Sequence, residues 1–252
     1  MAYKNIVLTD SNPGGYFYEE AMKMLRTNVQ FSGKNNKVIL LTSVYSGEGK
    51  SDICFNLSVN LGKTGKKVLL IDADIRKSVY KSRYDIKEET QGLSQYLSGQ
   101  VEKIDDVVCK TNYENLYMIL SGPYAPNPTE ILGDESFGQL LKAARQVFEY
   151  VIVDTPPLGS VVDAAVIAQY CDGAVIVVES GATSYHVCQK VKAQLEKSGC
   201  KILGAVLNKV ENKGRGYRSG KYGGKYGKYG KYGYGYGYET DIRELENPIE
   251  GK

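Results

Sequence analysis

Six consecutive residues, Ser46-Gly47-Glu48-Gly49-Lys50-Ser51, carry the most specific chemistry in the sequence. Two glycines let the backbone turn several N–H groups toward one point, and the start of a helix adds its own partial positive charge. Lys50 would neutralise β- and γ-phosphates there, and Ser51 would offer its hydroxyl to Mg²⁺. The first glycine usual in such a loop is replaced by Val44. Two carboxylates follow at Asp72 and Asp74, in Ile71-Asp72-Ala73-Asp74-Ile75-Arg76. Spaced by two, they lie on the same side of an extended chain. A lone strand-end aspartate is an ordinary loop cap, but beside a phosphate loop the pair reads as base or metal chemistry. Val153-Asp154-Thr155-Pro156-Pro157 adds a hydrophobic run ending in aspartate, the form of a second Mg²⁺ ligand.

These residues need a scaffold that brings strand ends together, and the apolar pattern supplies one. Short β-branched runs at 38–41, 68–71, 116–120, 150–153, 174–178 and 202–207 alternate with helical stretches at about 50–62, 134–147, 160–170 and 185–198. Near-continuous apolar strands separated by helices predict a parallel sheet covered on both faces. Open sheets of this kind bind ligands beyond the C-terminal ends of their strands, where the three motifs fall. Ahead of the first strand, Tyr18, Met22, Leu25 and Val29 recur at helical spacing and predict a leading amphipathic helix. The fold class expected is therefore α/β, a P-loop NTPase-type parallel sheet with helices on both faces.

Composition sets the outer limits. The chain has 252 residues, 42% hydrophobic and 24% charged, enough for one substantial core. Its net charge of +3 hides a segregation. Residues 213–238 hold seven Lys or Arg, eight of the 21 Tyr, ten of the 28 Gly and no acid, so the remainder carries −4. A segment with so little to bury reads as a disordered Gly/Tyr/Lys-rich tail. The organisation expected is an N-terminal segment (1–36), a phosphate-loop domain (37–210) and the tail (211–252). No apolar run approaches the ~18 residues of a membrane helix, and the N-terminus does not read as a signal peptide. Cys54, Cys109, Cys171, Cys188 and Cys200 form no C-x-x-C and read as reduced thiols of a cytoplasmic protein. The single histidine, His186, leaves little for a zinc site or a serine-type triad.

The order of phosphate loop, Val68–Arg76, Val151–Pro157 and Tyr-rich C-terminus resembles the bacterial tyrosine kinases. It is most similar to the free-standing kinases of Gram-positive capsular or exopolysaccharide loci. Gly92-Leu93-Ser94 and Pro126-Asn127-Pro128-Thr129-Glu130-Ile131-Leu132 belong to the same resemblance. It implies ATP-dependent autophosphorylation on tyrosine with Mg²⁺ as cofactor. Lys50, Asp72 and Asp74 would be the catalytic set, Asp72 serving as base toward the incoming tyrosine hydroxyl. Ser51, Asp74 and Asp154 would hold Mg²⁺. Ser46, Gly47, Glu48, Gly49, Asp52 and Arg76 would surround the nucleotide, and Asn208 would read adenine.

Glu20, Lys23 and Arg26 match a helix motif that joins subunits into a ring, with Lys23 where arginine is usual; Asp52 stands where threonine is common. The phosphoacceptors would be Tyr217, Tyr222, Tyr226, Tyr229, Tyr232, Tyr234, Tyr236 and Tyr238. The partners implied are a membrane activator of the polysaccharide co-polymerase type, which recruits the kinase to the inner membrane face, and protein tyrosine substrates. No specific nucleic acid is expected. The alternative is a partitioning or division-type ATPase with a basic nucleic-acid-binding tail. Such enzymes carry a signature lysine early in the loop, and Tyr45 stands there instead.

Overall fold

The structure, a computed structural model, describes residues 3–10 and 14–210. The eight tyrosines proposed as acceptors lie outside the described residues. Eight strands form one sheet: β1 (Lys4–Ile6), β2 (Val38–Ser43), β3 (Val68–Asp72), β4 (Val108–Thr111), β5 (Leu116–Ile119), β6 (Tyr150–Asp154), β7 (Gly173–Glu179) and β8 (Ile202–Asn208). Their spatial order is β1-β4-β5-β3-β6-β2-β7-β8. From β5 to β8 all pairs are parallel, as the apolar runs predict. The edge departs from expectation, because β4 pairs antiparallel with β5 and β1 parallel with β4. Both added strands are short and carry polar residues such as Lys4, Asn5 and Lys110, so no apolar run marks them.

Alternation along the central strands loads both faces. Val38 and Leu40 of β2 join one core cluster, with Phe137, Leu140 and Leu141 of α6 (Glu135–Val147) and Val187 and Leu195 of α8 (Tyr185–Lys197). Ile39 and Leu41 join the other, with Met22 and Val29 of α1 (Tyr16–Phe31) and Ile53, Phe55 and Leu57 of α2 (Lys50–Gly62). Side chains of period two thus bury a strand on both sides. Short helices complete the cover: α3 (Tyr80–Arg83), α4 (Leu93–Leu97), α5 (Pro128–Gly133) and α7 (Asp163–Ala168). The last is shorter than the 160–170 stretch expected, and Pro156-Pro157 runs ahead of it in a loop tied to β2 by Leu158 N–H donating to Ser43 O at 2.8 Å.

Helix starts differ in a way that matters for ligands. Asp134 accepts from Ser136 N–H at 2.8 Å at the start of α6, and Ser184 caps α8 by accepting from Val187 N–H at 3.4 Å. At α2 the N-cap is Gly49, left-handed at φ 87°, with no side chain capping the first turn. Its exposed backbone donors are the ones a phosphate would satisfy.

Candidate functional site

Sheet order sets β3, β6 and β2 side by side, and the register pairs Asp72 with Asp154 and Leu41 with Asp154. The C-terminal ends of three strands therefore open into one cleft of about 160 Å³. Ser46, Gly47, Gly49, Lys50 and Ser51 line it from the loop, and Asp72 and Asp74 from the end of β3. Lys50 is 7% exposed and its ammonium donates to Asp154 Oδ1, itself fully buried. Burial pulls the Lys50 ammonium down, but the negative charge of Asp154, with Cys54 and Asp74, outweighs it and holds the group above its ordinary range. Lys50 is thus a fixed positive charge at the base of the loop.

Asp72 is fully buried; its Oδ2 accepts from the Ser78 hydroxyl and from Ser121 N–H at 3.3 Å. Burial first, and then the Asp154 charge, push its carboxyl up to about 7. Asp72 Oδ1 and Asp154 Oδ2 are buried without a hydrogen-bond partner. The Asp154 oxygen, beside a cleft that Asp72 and Asp74 line, fits a divalent cation, which needs oxygen donors and supplies the missing charge. Among the described residues no group of three His, Cys, Asp or Glu closes a metal centre by itself. A Mg²⁺ here would take Ser51 and Asp154, with Asp74 directly or through water, and complete its shell with water and phosphate oxygens, as this ion commonly does.

The remaining expected residues divide. Glu48 is 2% exposed and its side chain braces the loop from beneath. Its Oε2 accepts from Val44 N–H at 2.7 Å and Tyr45 N–H at 2.9 Å; its Oε1 accepts from Glu179 N–H at 3.1 Å and from the Thr183 hydroxyl. Only its backbone faces toward ligand duty. Asn208 sits at the loop, donating from Nδ2 to Glu48 O at 2.8 Å, and Lys209 donates to Gly47 O at 2.7 Å. Arg76 does not line the cleft. Its guanidinium grips buried Asp163 at 2.6 and 3.0 Å and the Thr129 hydroxyl at 2.9 Å, tying the loop after β3 to α7 and α5. Asp52 turns from the loop toward Tyr18 and Arg83.

On α1, Glu20 and Lys23 pair with each other at 2.7 Å on the exposed side, while Arg26 Nε is buried without a partner. Lys77 and Arg83 line the cleft and had no sequence signal. Lys77 follows the acidic motif and Arg83 ends α3, where nothing in residue type or spacing marks a site. Ser78, Ser121 and Thr183 were equally silent, since they act through a neighbour's carboxylate.

The family model described as "AAA domain" matches residues 36–198. The tyrosine-protein kinase CpsD of Streptococcus agalactiae is 44% identical over 213 residues, covering 84% of this chain and 90% of that protein. The tyrosine-protein kinase YwqD of Bacillus subtilis (strain 168) is 36% identical over 216 residues, covering 85% and 86%. Among solved structures, the kinase domain of Escherichia coli tyrosine kinase ETK aligns with a TM-score of 0.74 at 30% identity, covering 81% of this chain and 80% of that domain. The match spans the phosphate loop, both acidic strand ends and the sheet that joins them, and the chain belongs to the bacterial tyrosine-protein kinases.

Proposed function

We propose that the protein transfers the γ-phosphoryl group of ATP to its own C-terminal tyrosines, Tyr217 to Tyr238, between subunits. The observation that supports this most is the meeting of Lys50, Ser51, Asp72 and Asp74 at one cleft, with buried Asp154 bonded to Lys50 beneath it and an unpartnered oxygen on Asp72 and on Asp154. Bound Mg–ATP supplies the electrophilic phosphorus and screens its charge. Phosphoryl transfer asks the protein mainly for positioning and electrostatics. Lys50 holds a permanent positive charge against the phosphates. Ser78 and Ser121 fix one oxygen of Asp72 and leave Oδ1 to orient the tyrosine hydroxyl and accept its proton. Asp154 balances Lys50 and keeps a second oxygen for the cation.

The setting is capsular or exopolysaccharide synthesis and export, with a polysaccharide co-polymerase-type membrane protein as activator and a ring of subunits joined through Glu20, Lys23 and Arg26. Among the described residues no helix is long and apolar enough to cross a membrane, so attachment to the inner membrane face would come from that partner. The test is incubation with Mg–ATP followed by mass spectrometric mapping of phosphate. Tail tyrosines should be modified in the wild type and unmodified in Lys50→Met, with both far-UV CD spectra native-like. Phosphate on the tail of purified Lys50→Met alone would defeat the assignment. Transfer between subunits is tested by mixing full-length Lys50→Met with a competent chain truncated after Val210. Phosphate should then appear on the inactive partner, and its absence would defeat the intersubunit step.

A further inference from the structure

A carboxylate in the first turn of a phosphate-binding helix favours the helix dipole yet repels the anion held at the same helix end. Asp52 is the third residue of α2, directly after Ser51. The fold occupies both of its oxygens from outside the loop. Oδ1 accepts from Arg83 Nη2 at 2.6 Å and Oδ2 from the Tyr18 hydroxyl at 2.5 Å. One turn further along α2, Asn56 donates to the Tyr18 hydroxyl at 3.3 Å and to Asp52 O at 3.0 Å, which fixes the arrangement. Burial, and then the hydrogen bond to Asp52, hold the Tyr18 hydroxyl above its ordinary range, so it stays protonated and donating. Arg83 belongs to α3 and also lines the nucleotide cleft, whereas Tyr18 stands in the first turn of α1.

We propose that Arg83 and Tyr18 are positioning residues that hold and neutralise Asp52 at the phosphate-binding end of α2, so that nucleotide affinity depends on α3 and α1. This rests on reading the Lys50 loop as a nucleotide site and requires nothing of the phosphoacceptors. Its physical content is a charge balance: with Arg83 present the first turn of α2 is neutral beyond Lys50, and without it the Asp52 carboxylate keeps an uncompensated negative charge one residue beyond Ser51, felt at the phosphates through space. Tyr18 brings the helix of Glu20, Lys23 and Arg26 into the same balance, so a displacement of α1 would be felt at the loop.

Calorimetric titration of the full chain with Mg–ADP tests the idea. Arg83→Ala should weaken binding about two- to fivefold, the range open to a partly exposed ion pair, and Arg83→Lys should recover most of it. Tyr18→Phe should weaken it less. Asp52→Asn should bind at least as tightly as wild type, and in that background neither Arg83→Ala nor Tyr18→Phe should weaken binding further. The Arg83→Ala effect should shrink at about 0.5 M salt, where charges are screened within a few ångströms. A double variant Asp52→Asn/Arg83→Ala as weak as Arg83→Ala alone would overturn the proposal, because Arg83 would then act on the nucleotide itself. A wild-type chain that fails to bind Mg–ADP would overturn the nucleotide reading as well, which separates the two failures.

Discussion

Asp72 and Asp154 face each other across adjacent strands, both fully buried, and each keeps one oxygen without a hydrogen-bond partner. An unsatisfied buried carboxylate oxygen costs free energy that folding alone does not return. Function and stability therefore oppose each other at Asp72. Its carboxyl is raised to about 7 by burial and by the charge of Asp154, against an unfolded value near 3.8. A raised acid is held uncharged by the fold, so its contribution is full below the unfolded value and is lost as pH climbs through about 7. With metal removed by EDTA, Asp72→Asn should leave stability little changed at about pH 4 and raise it on the order of 2–4 kcal/mol at pH 8. The same substitution should abolish tyrosine phosphorylation, since asparagine cannot accept the proton. Urea denaturation of both proteins across pH checks the first half, and equal stability gaps at both pH extremes would refute it.

At the scale of the element, the loop before α2 contains two glycines whose demands differ. Gly47 and Gly49 both have left-handed backbones, at φ 88° and 87°. A Cβ on Gly47 would meet nothing within 4 Å, while one on Gly49 would come within 2.2 Å of Asn208 Nδ2. Gly47→Ala should cost only the strain of the backbone, about 1 kcal/mol. Gly49→Ala should cost about 2–3 kcal/mol, because it also displaces the Asn208 donor from Glu48 O. Chemical denaturation of the two variants measures the difference, and equal losses would mean that Asn208 moves aside freely. The example marks the boundary of what sequence reveals. Glycine, lysine and strand-end aspartates were legible because residue type and spacing along a strand–loop–helix pattern already mark them. So were the apolar runs that became β2, β3, β6 and β7. The inward turn of Glu48, the Arg76–Asp163 strut and the Asp52–Arg83 pair were not, for each joins residues far apart in the chain through tertiary contact. The short strands β1 and β4 escaped for a different reason, as runs of three and four residues with polar members give no period to read.

The whole molecule is electrically divided. Residues 213–238 carry +7, the rest of the segment beyond residue 210 carries −4, and residues 1–210 carry no net charge, so the unmodified basic stretch is attracted to whatever local acidic surface it can reach. The root of that tail lies at the catalytic loop, because Lys209, two residues beyond Leu207, donates to Gly47 O at 2.7 Å. Phosphorylation changes the sign of the interaction. Each phosphotyrosine adds about −1.5 to −2 charges at pH 7, so eight would bring residues 213–238 from +7 to about −5 to −9. A stretch of that charge would be repelled by the acidic surface that attracted the unmodified one and by the modified stretches of neighbouring subunits. On α1, Glu20 and Lys23 pair on the exposed side, while Arg26 Nε is buried. The unmodified protein should self-associate and the multiply phosphorylated form should be more monomeric, with a graded response to phosphate number. Since unpaired charges are screened beyond ~8 Å at physiological ionic strength, the difference should narrow as salt rises. Light scattering of both forms, before and after phosphatase treatment, measures it. Identical mass for the two forms at low salt would remove the charge reversal as a control on assembly and leave the modified tail as a docking site alone.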